Sequence, residues 1–449
     1  MSDSVPTLRL DTRHAARAPL DDQVPQLDAA LDALLARQAS GTAGFLTLDA
    51  DAWGLPDAVA LGSTLADRAD VLFVVGIGGS ALGARALETA LGSVDVARRL
   101  AVLDTVDPAY VAPLLDAVDP ARAAVAVISK SGGTIETAAL FRLLLPWLRR
   151  ASDWRDRLVF VTDPERGLLR PLADAWGLAT LPVPPDVGGR FSVLTAVGLL
   201  PAAFLGVDTA ALLEGARRMA DACVTRALET NPAWRFAAVH DQWWPDADVT
   251  VFYPYCERLR GMGEWFQQLW AESLGKPRPG AAPYGWTPAA HRGPTDQHSQ
   301  LQMWQEGPAD RIVTFVGVDD PGVDLGPLPL DGPEHAVVPA LADVTLRRLL
   351  DAERLGTAAA LITAGRPAID LRLPAVDAAS LGELIVFLEA ATAFAGLLRD
   401  IDPFDQPGVE LGKRVTKALL AEGLPDRSEA VGFDWALDVL ARRGDEDAG

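Results

Sequence analysis

The sequence predicts an α/β protein built from two doubly wound parallel-sheet domains followed by a C-terminal helical arm. Three observations carry this. From residue 70 short apolar runs alternate with segments of helical spacing. The runs are apolar at consecutive positions, the pattern of strands covered on both faces. With 449 residues the chain exceeds one ordinary domain. The expected divisions are an N-terminal helical segment (1–44), a first domain (45–207), a second domain (208–378) and the arm (379–449).

"LDAALDALLARQ" gives the first segment its helical pattern. "VLFVVG", "LAVLD", "AAVAVIS" and "RLVFVTD" read as buried strands. "SALGARALETALG" and "TIETAALFRLLLPWLRR", between them, have helical spacing. A helical bridge near 205–245 leads to a second set of strands, "DVTVFYPY" (248–255), "RIVTFVGV" (311–318) and "AALITA" (359–364). "ASLGELIVFLEAATAFAGLLRDI" (379–401) is the most apolar long segment. It carries Glu383 and Glu389, which a membrane span would not tolerate well, so it reads as a buried helix. The tail ends in helices and the charged "RRGDEDAG". The chain shows neither short repeats nor low-complexity tracts.

Composition narrows the function. About half the residues are apolar, as in a globular protein, and the formal charge is −21. Unselective binding to nucleic acid or anionic membrane, which needs positive charge, is not expected. The two cysteines, Cys223 and Cys256, form no CxxC and predict reduced thiols in a cytoplasmic protein. The N-terminal stretch lacks the apolar centre of a secretory signal. Lysine is scarce. Of forty basic residues only Lys130, Lys276, Lys413 and Lys417 are lysine, and three of them stand beside glycine-rich or hydroxyl-rich loops. That hints at sites that need a compact ammonium.

Two loops carry chemistry. "VVGIGGSALG" (74–83) runs from a strand through Gly76, Gly78, Gly79 and Ser80 into a helix. Such a turn offers backbone N–H groups and a helix N-terminus to an anion. With Asp104 ending the next strand, it also fits the loose G-x-G-x-x-A dinucleotide fingerprint. "SKSGGTIET" (129–137) likewise closes a strand and opens a helix. In a parallel sheet both loops face one crevice. A pyrophosphate needs a single glycine loop, whereas a terminal phosphate calls for many short donors. Ser129, Ser131 and Thr134 supply them, Lys130 adds charge and Ser80 closes the other side. Helix capping alone would need only one hydroxyl.

The paired loops GIGGS and SK[ST]xxTxET resemble those of sugar isomerase domains. "GGRFSVLTAVGLLP" (188–201), "QQLWAESLGK" (267–276), "TDQHSQLQMWQEG" (295–307) and "FDQPGVELGK" (404–413) resemble the signature segments of the glucose-6-phosphate isomerase family in its shorter bacterial form. The resemblance implies two sugar isomerase domains and reversible conversion of glucose 6-phosphate to fructose 6-phosphate. It implies Glu272 as the base that moves a proton between carbons 2 and 1. His298 would open the sugar ring with help from Lys413. Arg190 would be the cation beside the enediol. Gln268 would bind substrate, and Gly79, Ser80, Ser129, Lys130, Ser131 and Thr134 would form the phosphate cradle. It further implies a homodimer whose histidine enters the partner's site. The first 60 residues carry none of these signature segments.

The chemistry asks for these groups. Isomerisation through an enediol needs one base that takes and returns a proton, and a carboxylate suits this in tuned surroundings. A fixed guanidinium stabilises the developing oxyanion. A histidine exchanges protons near neutral pH, as ring opening requires. No metal or other cofactor is expected. Among His14, His240, His291, His298 and His335, His291 rivals His298 by position, and the family segment favours His298. Two other classes compete. An NAD-dependent oxidoreductase would rest on GIGGSA and Asp104, and a non-catalytic sugar-phosphate sensor on the phosphate loops alone.

Overall fold

The computed structural model describes residues 5–92, 98–278, 280–328, 341, 344–420 and 435–436. The chain opens with β1 (Arg9–Asp11), α1 (Val24–Ala39) and α2 (Leu55–Ala66). In α1 the apolar positions Leu27, Leu31 and Leu34 recur at helical spacing and are buried.

A first sheet follows. Its strands are β2 (Val71–Val75), β3 (Arg99–Leu103), β4 (Ala123–Ile128), β5 (Leu158–Thr162) and β6 (Ala179–Pro182). The helices between them are α3 (Leu82–Leu91), α4 (Pro108–Ala117), α5 (Ile135–Leu148) and α6 (Leu169–Trp176). The strand order is β3-β2-β4-β5-β6, every pair parallel. β2, β4 and β5 are buried at every residue, which is why their sequences are continuously apolar. The winding reverses between β2 and β4, so the loops after these neighbours flank one crevice. Val75 stands opposite Val127 where they leave the sheet.

The chain then runs through α7 (Ala196–Phe204), α8 (Thr209–Cys223) and α9 (Pro232–Trp243). The second sheet uses β7 (Val249–Pro254), β10 (Thr287–Ala290), β11 (Arg311–Asp320) and β12 (Ala368–Ala375). α10 (Arg260–Leu274) follows β7 and runs into a hairpin of β8 (Lys276–Arg278) and β9 (Ala281–Tyr284). α11 (Leu301–Glu306), α12 (Leu346–Thr363) and α13 (Ala378–Leu397) complete this part. The order is β1-β12-β11-β7-β10, parallel except for β1, which lies antiparallel on the β12 edge.

Three expectations need correction. "AALITA" is the end of α12, and the strand is the next segment, "AIDLRLPA". A short apolar run does not distinguish a helix end from a strand. The 379–401 segment opens no arm. As α13 it is buried from Ser380 to Leu397 and packs against α1, α8, α9 and α10. It is long and apolar enough to cross a membrane, but it is mostly enclosed by protein. Nor is 1–44 a separate helical segment, because β1 pairs with β12 and α1 packs on α13.

The two acids of α13 differ. Glu383 accepts from Thr7 N at 2.9 Å, Leu8 N at 2.8 Å and Arg218 Nε at 2.6 Å. Burial raises the Glu389 carboxyl well above its ordinary value, and its Oε1 has no hydrogen-bond partner among the described residues.

The chain divides after Phe404. Beyond it a turn (Pro407–Val409) enters α14 (Glu410–Leu420), where Lys413 Nζ donates to Glu410 Oε1 at 2.7 Å. "RRGDEDAG" lies outside the described residues.

Candidate active site

The loop after β4 gathers hydroxyl groups at the end of its strand. Thr134 is the N-cap residue of α5, yet its side chain accepts no capping hydrogen bond. Its Oγ1 instead lies 3.3 Å from Ser129 Oγ, so the two hydroxyls stand together at the end of β4. Ser131 Oγ accepts from Gly133 N at 3.2 Å, and Gly132 takes φ +64° to turn the loop. Thr162 Oγ1, on the next strand, donates to the Ser129 carbonyl at 2.8 Å and fixes the loop's root. Lys130 also has a structural tie. Its Nζ donates to the carbonyls of Pro185 at 2.8 Å and Val187 at 3.0 Å, tying the loop to the segment that leads to Arg190. Burial lowers the Lys130 ammonium below its ordinary value, an effect opposed by the charges of Asp163 and Asp186.

The loop after β2 is shaped by close approach. A Cβ on Gly79 would stand 2.2 Å from the Gly189 carbonyl oxygen and 2.6 Å from Arg190 N. A Cβ on Gly78, whose φ is +58°, would meet Gln268 Nε2 at 2.5 Å. Only glycine lets the Arg190 backbone and the Gln268 amide reach the crevice there. Ser80 closes the turn before α3.

α10 brings three side chains to this place. Gln268 and Glu272 are one turn apart and share a face. Gln268 Oε1 is buried with no hydrogen-bond partner among the described residues. Glu272 is 32% exposed at the side chain, and its Oε2 lies 3.4 Å from Arg190 Nη1. The Arg190 side chain is only 2% exposed. Its Nε donates to Ser273 Oγ, the third α10 group, at 2.8 Å, and its Nη2 to the Pro403 carbonyl at 2.6 Å. Ser273 lies within a family segment but gains no role from sequence, since a serine inside a helix has no signature of its own. The carbonyl of Pro403 is equally invisible there, being backbone.

The rival histidine is committed elsewhere. His291 Nδ1 lies 3.4 Å from Asp296 Oδ2, its ring meets Trp304 edge-on, and burial holds its imidazole below the ordinary value against the pull of Asp296. The His298 side chain makes no hydrogen bond or ion pair among the described residues, and it follows the short turn Thr295–Gln297. Gln297 of that turn is held by the Glu353 carbonyl and Thr357 Oγ1 on α12. His240 is fully buried between the Phe236 carbonyl and Thr250 Oγ1, so its role is structural. Asp104 is engaged by Arg85 Nη2 at 2.8 Å, an ion pair with the helix that follows the glycine loop. That leaves less for a ribose to bind than the fingerprint suggests. Lys276, like Lys130, binds backbone, donating to the Asp402 carbonyl at 2.5 Å. The described residues contain no group of His, Cys, Asp and Glu able to hold a metal ion.

A family model described as phosphoglucose isomerase matches residues 59–281 and 347–440. The probable glucose-6-phosphate isomerase of Haloarcula marismortui is 41% identical over 421 residues, covering 92% of this chain and 93% of the relative. A glucose-6-phosphate isomerase of Thermus thermophilus is 39% identical over 420 residues, covering 92% of this chain and all of the relative (100%). Among solved structures, a hypothetical protein of Thermus thermophilus superposes with a TM-score of 0.87 at 38% identity, covering 92% of this chain and 100% of that one. A glucose-6-phosphate isomerase of Chlamydia trachomatis shares the fold, with a TM-score of 0.81 at 22% identity over 98% of this chain and 92% of that one.

Proposed function

The chain belongs to the phosphoglucose isomerase family and interconverts glucose 6-phosphate and fructose 6-phosphate, and we propose that Glu272 is its proton carrier and Arg190 its enediol-binding cation. The observation that carries the residue assignment is the 3.4 Å approach of Arg190 Nη1 to Glu272 Oε2 beside the two hydroxyl- and glycine-rich loops. Glu272 takes the proton from carbon 2 of the open-chain aldose and returns it to carbon 1, and the cis-enediolate forms between the two steps. The negative charge that grows on the oxygens of carbons 1 and 2 falls beside the Arg190 guanidinium. Gln268 presents its amide to the substrate hydroxyls. Gly79, Ser80, Ser129, Ser131 and Thr134 surround the phosphate, and Lys130 adds charge from the side. His298 and Lys413 exchange the protons that open the ring. Direct observation of the interconversion by NMR tests this: isomerisation in the absence of nicotinamide supports it, and a strict need for nicotinamide overturns it.

The cradle makes a separate prediction. Hydrogen bonds to a charged group contribute about 1.5–3 kcal/mol each. The double variant Ser129→Ala/Thr134→Ala should therefore raise KM for glucose 6-phosphate roughly a hundredfold or more. An unchanged KM reduces the loop to a helix start.

We further propose that the protein works as a cytoplasmic homodimer in which His298 of one protomer serves Glu272 of the other. The polar stretch "GWTPAAHRGPTDQHSQ" supports this, because the His298 side chain has no partner among the described residues of its own chain. The free thiols Cys223 and Cys256 fit a reducing compartment. Mixing the inactive variants Glu272→Gln and His298→Ala and allowing subunit exchange should restore activity. A hybrid dimer would hold one site with both lesions and one with neither. Verified exchange without activity, or an active monomer, refutes the shared site.

A further inference from the structure

We infer that Ser273 is a positioning residue for the isomerisation. Its hydroxyl sets the angle at which the Arg190 guanidinium faces the reacting carbons. The inference rests on the assignment of Arg190 to the enediolate and extends it to a side chain that does not touch substrate.

Arg190 comes from a short turn, Gly189–Phe191, and its fork is nearly enclosed by protein. Its three donor edges have different duties. Nη2 points to the Pro403 carbonyl, 2.6 Å away, and Nε to Ser273 Oγ, 2.8 Å away. Nη1 is turned toward Glu272, at 3.4 Å. A guanidinium is planar, so contacts at Nε and Nη2 fix the direction of Nη1 as well. Ser273 is fully buried and adjoins Glu272 in α10. One helical turn thus carries both the proposed base and the group that aims the proposed cation, and the two are held in register by the helix.

The aim of the fork matters only when charge develops on the substrate oxygens. Loss of the anchor should therefore act on the transition state and spare the ground state. Ser273→Ala is expected to lower kcat about 10–100-fold with KM for glucose 6-phosphate changed less than threefold. Affinity for a five-carbon phosphosugar hydroxamate, a planar anion shaped like the enediolate, should fall by a factor similar to that in kcat. Affinity for sorbitol 6-phosphate, an open-chain polyol without that charge, should stay within threefold. Ser273→Thr, which keeps the hydroxyl, should recover at least half of the logarithmic loss. In an Arg190→Ala background, Ser273→Ala should cost less than a further threefold, because the group it aims is gone.

The outcomes separate the inference from the assignment beneath it. If Arg190→Ala itself leaves kcat within threefold of the parent, the assignment of Arg190 falls. If Arg190→Ala is crippling but Ser273→Ala is not, or its effects multiply in full with those of Arg190→Ala, the positioning role of Ser273 is refuted. Equal losses for the hydroxamate and for sorbitol 6-phosphate refute it too, since a general disturbance of the pocket would give them. Thermal melting of each variant, followed alongside, normalises activity to folded protein.

Discussion

Glu272→Gln is expected to lower kcat for glucose 6-phosphate by roughly 10²–10⁴-fold while KM stays within a few-fold. The substitution keeps the shape of the side chain on α10 and removes only its ability to accept a proton. The neighbouring cation is retained, because Arg190 is held from two other directions by Ser273 and Pro403. The proposed phosphate cradle lies in the loops after β2 and β4, which Glu272 does not belong to. Exchange of the carbon-2 hydrogen of the substrate with solvent deuterium should vanish along with turnover, since both need the same proton carrier. Turnover within tenfold of the parent would remove Glu272 from the mechanism, whatever its motif position.

The second large effect concerns stability. Glu383 is fully buried, and its carboxylate gathers Thr7 N, Thr7 Oγ1, Leu8 N and Arg218 Nε. Breaking a buried pair from one side costs about 3–5 kcal/mol, and Arg218 would keep only the largely exposed Glu214, 3.8 Å from its Nη1. Glu383→Ala should therefore destabilise the protein by about that much. Urea unfolding followed by tryptophan fluorescence measures it. In an Arg218→Met background the same substitution should cost much less, because no buried cation remains to be stranded. A loss below about 1 kcal/mol in the parent would mean that water takes over the carboxylate's partners.

The first sheet was legible because its three central strands are buried on both faces, and these and the edge strand β3 stand out as apolar runs. β6 escaped notice at four residues, of which only one is buried. The second sheet was half legible. β7 and β11 announce themselves, whereas β12 carries Asp370 and Arg372, which are engaged with Arg354, Asp319 and Asp351 in the structure. Those partners come from α12 and β11, so a charge that looks exposed in sequence is satisfied by distant residues. β10 and β1 are short edge strands, and a strand that adds only a few backbone hydrogen bonds leaves little trace in composition. The motif residues of the candidate site were readable because loops with unusual chemistry interrupt ordinary patterns. What was not readable was where the side chains go. Lys130 sits in a loop that looks made for anions, and its ammonium is held by two carbonyls that the sequence does not point to. Ser273 and Pro403 matter through an arginine 83 and 213 positions away.

The edge strand β1 has a consequence for how the protein is made. Its partners on β12 lie about 360 residues downstream, at Asp370 to Arg372. Glu383, which takes the backbone N–H groups just before β1, follows later still. At a synthesis rate of about 5–20 residues per second, the ribosome needs roughly 20–70 s to deliver them. Throughout that interval β1 has no strand to pair with. The first sheet, complete by Pro182, can assemble without it. Closure of the second sheet is therefore a late event of biosynthesis, and it joins segments that leave the ribosome about 360 residues apart.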